Sequence, residues 1–150
     1  MMSESRDSVF WDAVAGRREP PPCAVLLDST FVDVEPGRAR MRFRAREEFY
    51  NPAGFVQGGI LAAMLDDTLG PAAASTVGPQ EFVTTVEMKI SFLRPAKAGR
   101  LIGEGRVVHK GRSVVFLEGS LSAEDGALVA TATATSRIVP FSPPTGSGGG

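Results

Sequence analysis

The sequence predicts an α+β domain in which an antiparallel sheet covers one long apolar helix, and three observations carry that prediction. Gly58–Ala74 is a run of 17 residues that are apolar, small or hydroxylic except for Asp66 and Asp67, the signature of a helix buried on most sides. Strand-like runs flank it at residues 23–34, 38–46, 81–93, 100–109, 113–121 and 127–139. Short turns join most of these runs, which favours antiparallel neighbours. With 150 residues and 43% hydrophobic content the chain is long enough for one compact domain with a sizeable core.

From the N-terminus, residues 8–18 carry Val9, Phe10, Ala13 and Val14 at helical spacing behind Asp7 or Ser8 as the N-cap, and Pro20-Pro21-Pro22 ends that helix. Residues 23–34 are β-prone, Glu35-Pro36-Gly37-Arg38 reads as a turn, and residues 38–46 alternate strictly, so the two runs form a hairpin. Ala39, Met41, Phe43 and Ala45 take one face of its second strand, and Arg40, Arg42, Arg44 and Arg46 take the other. The arginine stripe is expected to be a solvated face that discourages edge pairing. Pro71 removes the donor to the Asp67 carbonyl and is expected to kink or end the central helix just past that turn. Turns around Pro95, Gly111 and Glu124-Asp125-Gly126 part the four later strands. The domain is expected to span residues 1–139. Residues 140–150 are Pro, Ser and Gly almost throughout, too poor in apolar groups to offset ordering entropy, and are expected to form a disordered tail.

Composition excludes several classes of function. A net charge of −1 denies a polyanion the dense positive field that sequence-independent nucleic-acid binding needs. One cysteine, Cys23, and one histidine, His109, build neither a disulfide frame nor a Cys/His zinc site. There is no G-x-S-x-G elbow and no P-loop, and Gly103-Glu104-Gly105 lacks the third glycine of a dinucleotide fingerprint. His109 lies beside a turn and reads as a surface residue. The sequence shows no basic leader followed by an apolar run and no apolar stretch of membrane-spanning length, so a cytoplasmic setting without membrane contact is expected.

The informative segment runs from Asn51 to Asp67. At about 100° per residue Ile60, Leu61, Met64, Leu65, Thr68 and Leu69 share the core half of the helix. Gly59, Ala62, Ala63, Asp66 and Gly70 share the other half, where small residues leave room for another backbone or a slender ligand. Asp66 is expected to be poorly solvated there and therefore basic, or else simply to reach solvent; Asp67 sits at the edge of the bulky stripe. Gly58-Gly59 opens the helix, where unpaired N–H groups and the positive dipole end suit an oxyanion. Gly58 and Asp66 are eight residues apart, about 12 Å along a helix. One carbonyl group cannot touch both in one subunit, so a shared reaction requires two antiparallel copies of the helix.

Asn51, Gln57-Gly58-Gly59 and Asp66 are followed by Thr84-Thr85-Val86-Glu87-Met88, by Phe92-Leu93-Arg94-Pro95-Ala96 and by the turn Lys110-Gly111-Arg112-Ser113. In this ordered combination the chain resembles the hotdog-fold acyl-CoA thioesterases of the phenylacetate-type branch, over about residues 9–139. The resemblance implies the hotdog fold and hydrolysis of an acyl-CoA to free acid and CoA. It implies that the Gly58 N–H polarises the thioester carbonyl, that Asp66 of the facing subunit activates water or attacks directly, and that Asn51 and Thr85 help to position these groups. Gln57 stands where many members carry histidine; it can hold the helix start but does not titrate near neutrality. Lys110, Gly111, Arg112 and Ser113 are implied to lie near the CoA phosphates. No metal and no cofactor beyond the CoA of the substrate is implied, and the assembly is a homodimer at least, with a homotetramer expected. Two alternatives remain: a catalytically silent acyl-CoA binding protein, and a dehydratase or hydratase, for which His109 lies in the wrong segment. Phe55, Phe82 and Met88 are candidates either for a pocket lining or for the core.

Overall fold

The structure, a computed structural model, describes residues 8–142. Its elements are α1 (Val9–Val14), α2 (Pro22–Leu26), β1 (Thr30–Glu35), β2 (Arg38–Ala45), α3 (Gly58–Ala74), β3 (Glu81–Phe92), β4 (Gly99–Lys110), β5 (Val114–Ala123) and β6 (Leu128–Pro140), with a 3-10 turn at Glu47–Phe49. The strands form one antiparallel sheet in the order β1-β2-β4-β5-β6-β3, and α3 packs on one face of it. This is the hotdog fold.

The strict alternation of β2 becomes strict alternation of burial, with Ala39, Met41, Phe43 and Ala45 against α3 and the arginines outside. The matching inner residues are Leu101, Gly103 and Gly105 of β4, Val115, Leu117 and Leu121 of β5, and Ala130, Ala132 and Ala134 of β6. Gly103 and Gly119 allow the helix to lie this close. A Cβ at Gly103 would overlap the Thr68 hydroxyl, and one at Gly119 would stand 2.8 Å from Leu69 Cδ2. Gly103-Glu104-Gly105 is therefore a helix-packing feature. Leu61, Met64, Leu65, Thr68 and Leu69 are buried as the helical period requires, together with Ala72 and Ala73, while Ile60 is only partly covered.

Several expectations need correction. α1 stops at Val14 rather than near residue 18, because Gly16 takes a φ of +75° and turns the chain two residues later. Residues 22–26 are helical rather than extended. Pro22 occupies a first helical position, where its fixed φ suits the helix and its missing N–H costs nothing, and the strand begins only at Thr30. The arginine stripe does not guard an edge: β2 is paired on both sides, with β1 and β4. Arg40 lies 3.4 Å from Glu104, and Arg106 pairs with Glu118, so the outer face is laced with exposed ion pairs.

Pro71 does not end α3, which continues to Ala74. Packing accounts for this, since Ala72 and Ala73 are fully buried and the last turn is tied down at several points. Ser75 Oγ donates to Ala72 O and accepts from Gly37 N at 2.8 Å, Thr76 Oγ1 donates to Ala73 O, and Lys110 Nζ donates to Thr76 O at 2.6 Å. Residues 93–98 form a short connection, yet they do not make β3 and β4 neighbours; β3 crosses to the far edge and pairs with β6. The final strand reaches Pro140, and Phe141 is held beyond it, its N–H donating to Gln80 O and its ring 5.5 Å from Phe82. The rest of the expected tail, residues 143–150, lies outside the described residues.

Candidate active site

α3 opens on Gln57, whose extended backbone (φ −60°, ψ 140°) carries the carbonyl that accepts from Ile60 N and Leu61 N. The N–H groups of Gly58 and Gly59 donate to no group among the described residues. The segment before them is built by Asn51: its Oδ1 accepts from Ala53 N at 2.9 Å and Phe55 N at 3.2 Å, and its own N–H donates to Phe55 O. Asn51 thus shapes the loop that delivers the helix start, and its side chain does not meet Asp66. The Gln57 side chain folds back along Gly59, where a Cβ would stand 3.2 Å from its Oε1.

Asp66 lies two turns on. Thr85 on the inner face of β3, an edge strand of the sheet, donates its hydroxyl to Asp66 Oδ1 at 2.7 Å. Within one chain Gly59, Ala63 and Asp66 are exposed. Within one chain Asp66 thus follows the second of its two expectations and reaches solvent, and the partly buried carboxylate is Asp67. Its Oδ2 accepts the Ser29 hydroxyl at 2.6 Å, which ties α3 to the residue before β1. Burial pushes the Asp67 carboxyl above its ordinary 3.8; the Ser29 hydrogen bond offsets part of this, and the neighbouring Asp66 charge adds to it.

A carboxyl whose pKa is higher folded than unfolded contributes stability that is complete below the unfolded value and lost as pH rises through the folded one. Asp67→Asn keeps an acceptor for Ser29 and cannot ionise. Its urea midpoint relative to the parent protein is expected to rise between pH 4 and pH 7, and a difference that stays constant over that window would show that the buried carboxylate carries no such cost.

The basic turn divides into two roles. Lys110 is occupied by the Thr76 carbonyl at the end of α3, whereas Arg112 is exposed and Gly111 N donates to Val114 O. Ser113 O accepts from Ile138 N. Of the other candidates, Phe82 is on the outer face against Phe141, Met88 packs on the core, and Phe55 carries Lys97 Nζ 5.3 Å from its ring centroid. His109 is exposed, its ring 6.4 Å from Phe116. A groove of about 800 Å³ lies on the outer face among Arg40, Lys89, Glu104, Arg106 and Glu118, and none of the candidate residues lines it. Among the described residues no group of three His, Cys, Asp or Glu could hold a metal ion, and no helix is long and apolar enough to cross a membrane.

One residue near the helix start was not singled out as a site residue. Phe92 sits at the end of β3, and a Cβ on Gly58 would come within 3.2 Å of its Cζ. Strand alternation could have placed Phe92 on the inner face, but nothing local in sequence joins residues 58 and 92.

A hotdog sheet laid on a helix that bears an exposed carboxylate is the framework of a thioester hydrolase. The chain belongs to the Thioesterase superfamily, whose family model matches residues 53–130. Among solved structures it is similar to a phenylacetic acid degradation-related protein of Ralstonia eutropha, at 38% identity over 85% of this chain and 98% of that one, with a TM-score of 0.81. The PaaI protein of E. coli, at 22% identity and a TM-score of 0.80 over 91% and 96% of the two chains, shares the fold. Human acyl-coenzyme A thioesterase 13 is 28% identical over 76% of this chain and 82% of its own length.

Proposed function

We propose that the protein hydrolyses acyl-CoA thioesters at a site completed by two copies of the chain. The observation that carries this reading is the Asp66–Thr85 pair, exposed beside the small-residue face of the same helix whose first N–H groups have no acceptor among the described residues. Thr85 occupies one carboxylate oxygen and leaves the other for water. Asp66 takes a proton from water as the water oxygen adds to the thioester carbon. The carbonyl oxygen, now negative, is held by Gly58 N–H of the partner subunit; the C–S bond then breaks, and the departing thiolate takes the proton back. Names of relatives support the substrate class, which includes the 1,4-dihydroxy-2-naphthoyl-CoA hydrolase of Listeria monocytogenes, 25% identical over 71% of this chain and 87% of that protein.

The edge strand β3 supplies the twofold contact. Bringing the Asp66–Thr85 end of one copy to the Gly58–Phe92 end of another requires the two β3 strands to run antiparallel along their free edges, with the axis in the Met88–Lys89 region between Thr85 and Phe92.

A panel of acyl-CoA esters assayed for thiol release tests the activity itself, and absence of release from every ester would leave the silent-binding alternative. In the same assay Arg112→Ala is expected to raise KM by the equivalent of about 1–3 kcal/mol, the range for a charge-assisted phosphate contact, and to leave an acyl-pantetheine nearly unaffected. Lys110→Ala is expected to act on stability through the end of α3. Equal losses on both substrates for Arg112→Ala would withdraw the CoA assignment from the turn.

A further inference from the structure

We propose that Phe92 is the specificity-determining residue of the hydrolase site, its ring forming the wall against which an apolar acyl group packs. The inference rests on the two-chain thioesterase reading above and concerns a residue to which that reading gives no role. Phe92 lies on the inner face of β3, opposite the fully buried Ala130. Of the other inner-face side chains of the strand, Val83, Met88 and Ile90 pack against the core and Thr85 meets Asp66, whereas Phe92 remains 53% exposed. Its ring tip is set against the first residue of α3: a Cβ at Gly58 would stand 3.2, 3.4 and 3.5 Å from Cζ, Cε1 and Cε2.

These facts belong together chemically. The ring crowds the space that a side chain at position 58 would take, so any residue larger than glycine there must push it aside, although the φ of Gly58 is not in the left-handed region. The ring tip lies beside Gly58, and the N–H groups of Gly58 and Gly59 have no acceptor among the described residues. A carbonyl oxygen received by Gly58 N–H brings its acyl chain alongside that ring. An aliphatic or aromatic acyl group gains burial and dispersion there, an acetyl group is too short to gain much, and water is kept from the donors, which strengthens their hold on developing charge.

The test compares Phe92→Ala and Phe92→Leu with the parent protein on acetyl-CoA, hexanoyl-CoA and benzoyl-CoA, with sedimentation to confirm that each variant associates as the parent does. Phe92→Ala is expected to lower kcat/KM for the two larger esters at least tenfold more than for acetyl-CoA, and Phe92→Leu is expected to recover hexanoyl-CoA better than benzoyl-CoA. Calorimetric binding of S-hexyl-CoA against CoA, in which no thioester is present, reads the same preference without turnover. If the parent hydrolyses none of the esters yet prefers S-hexyl-CoA, and Phe92→Ala abolishes that preference, the wall stands and the hydrolase reading falls. Equal losses on all three esters, or an S-hexyl preference unchanged by Phe92→Ala, would overturn the proposal.

Discussion

Asp66→Asn is expected to lower kcat for acyl-CoA hydrolysis by about a hundredfold or more while the protein stays folded. The size follows from the role: loss of a positioned general base costs on the order of 10²–10⁴ in rate. The fold survives because Asp66 is exposed and an asparagine oxygen can still accept the Thr85 hydroxyl that now reaches Oδ1 at 2.7 Å. Asp67→Asn is the matched control. It changes the next residue and a partly buried carboxylate, yet that carboxylate is turned to Ser29 on the far side of the helix turn and is expected to matter little for turnover. Steady-state kinetics of the two variants decide the matter, and a protein that tolerates Asp66→Asn but not Asp67→Asn would reverse the assignment.

Recovery of activity in mixed oligomers is the second large effect. Gly58→Pro removes the proposed oxyanion donor at the first helical position, where proline's φ is accepted and the preceding Gln57 already has the extended backbone that proline favours. The added ring meets the half-exposed Phe92, which can give way. Loss of one such donor costs on the order of 10²–10³ in kcat. Each site draws Gly58 from one chain and Asp66 from the other, so a hybrid of Gly58→Pro and Asp66→Asn chains contains one doubly defective site and one intact site. Random mixing yields hybrids in half of the dimers and hence about a quarter of parent activity from two nearly dead proteins. With exchange proved by mass-tagged chains, absence of recovery would mean that each site is contained in one subunit.

The sequence by itself determined which face of β2 and of α3 is buried. Alternation in residues 38–45 decided which side of β2 is buried, and helical spacing in Gly58–Ala74 separated Leu61, Met64, Leu65 and Leu69 from Gly59, Ala63 and Asp66. Those patterns are local, since they depend only on the repeat of one strand or one helix. Local signals failed where a short segment obeyed its surroundings: Gly16 closed α1 early, and Pro22 opened a helix in a run of β-prone residues.

Tertiary structure alone decided what stands across from what. Asp66 meets Thr85 from 19 positions away, Lys110 caps α3 from 34 away, and Phe92 covers Gly58 only because β3 runs to the far edge of the sheet instead of pairing with β4. Which of two adjacent aspartates loses its water was likewise invisible in the dipeptide. Both lie on one helix turn, and the choice depends on the strand, loop or second chain packed against each side. Burial of Asp67 beside Ser29 and exposure of Asp66 beside Thr85 follow from where β1 and β3 lie relative to α3, a consequence of sheet order that no single element's periodicity contains.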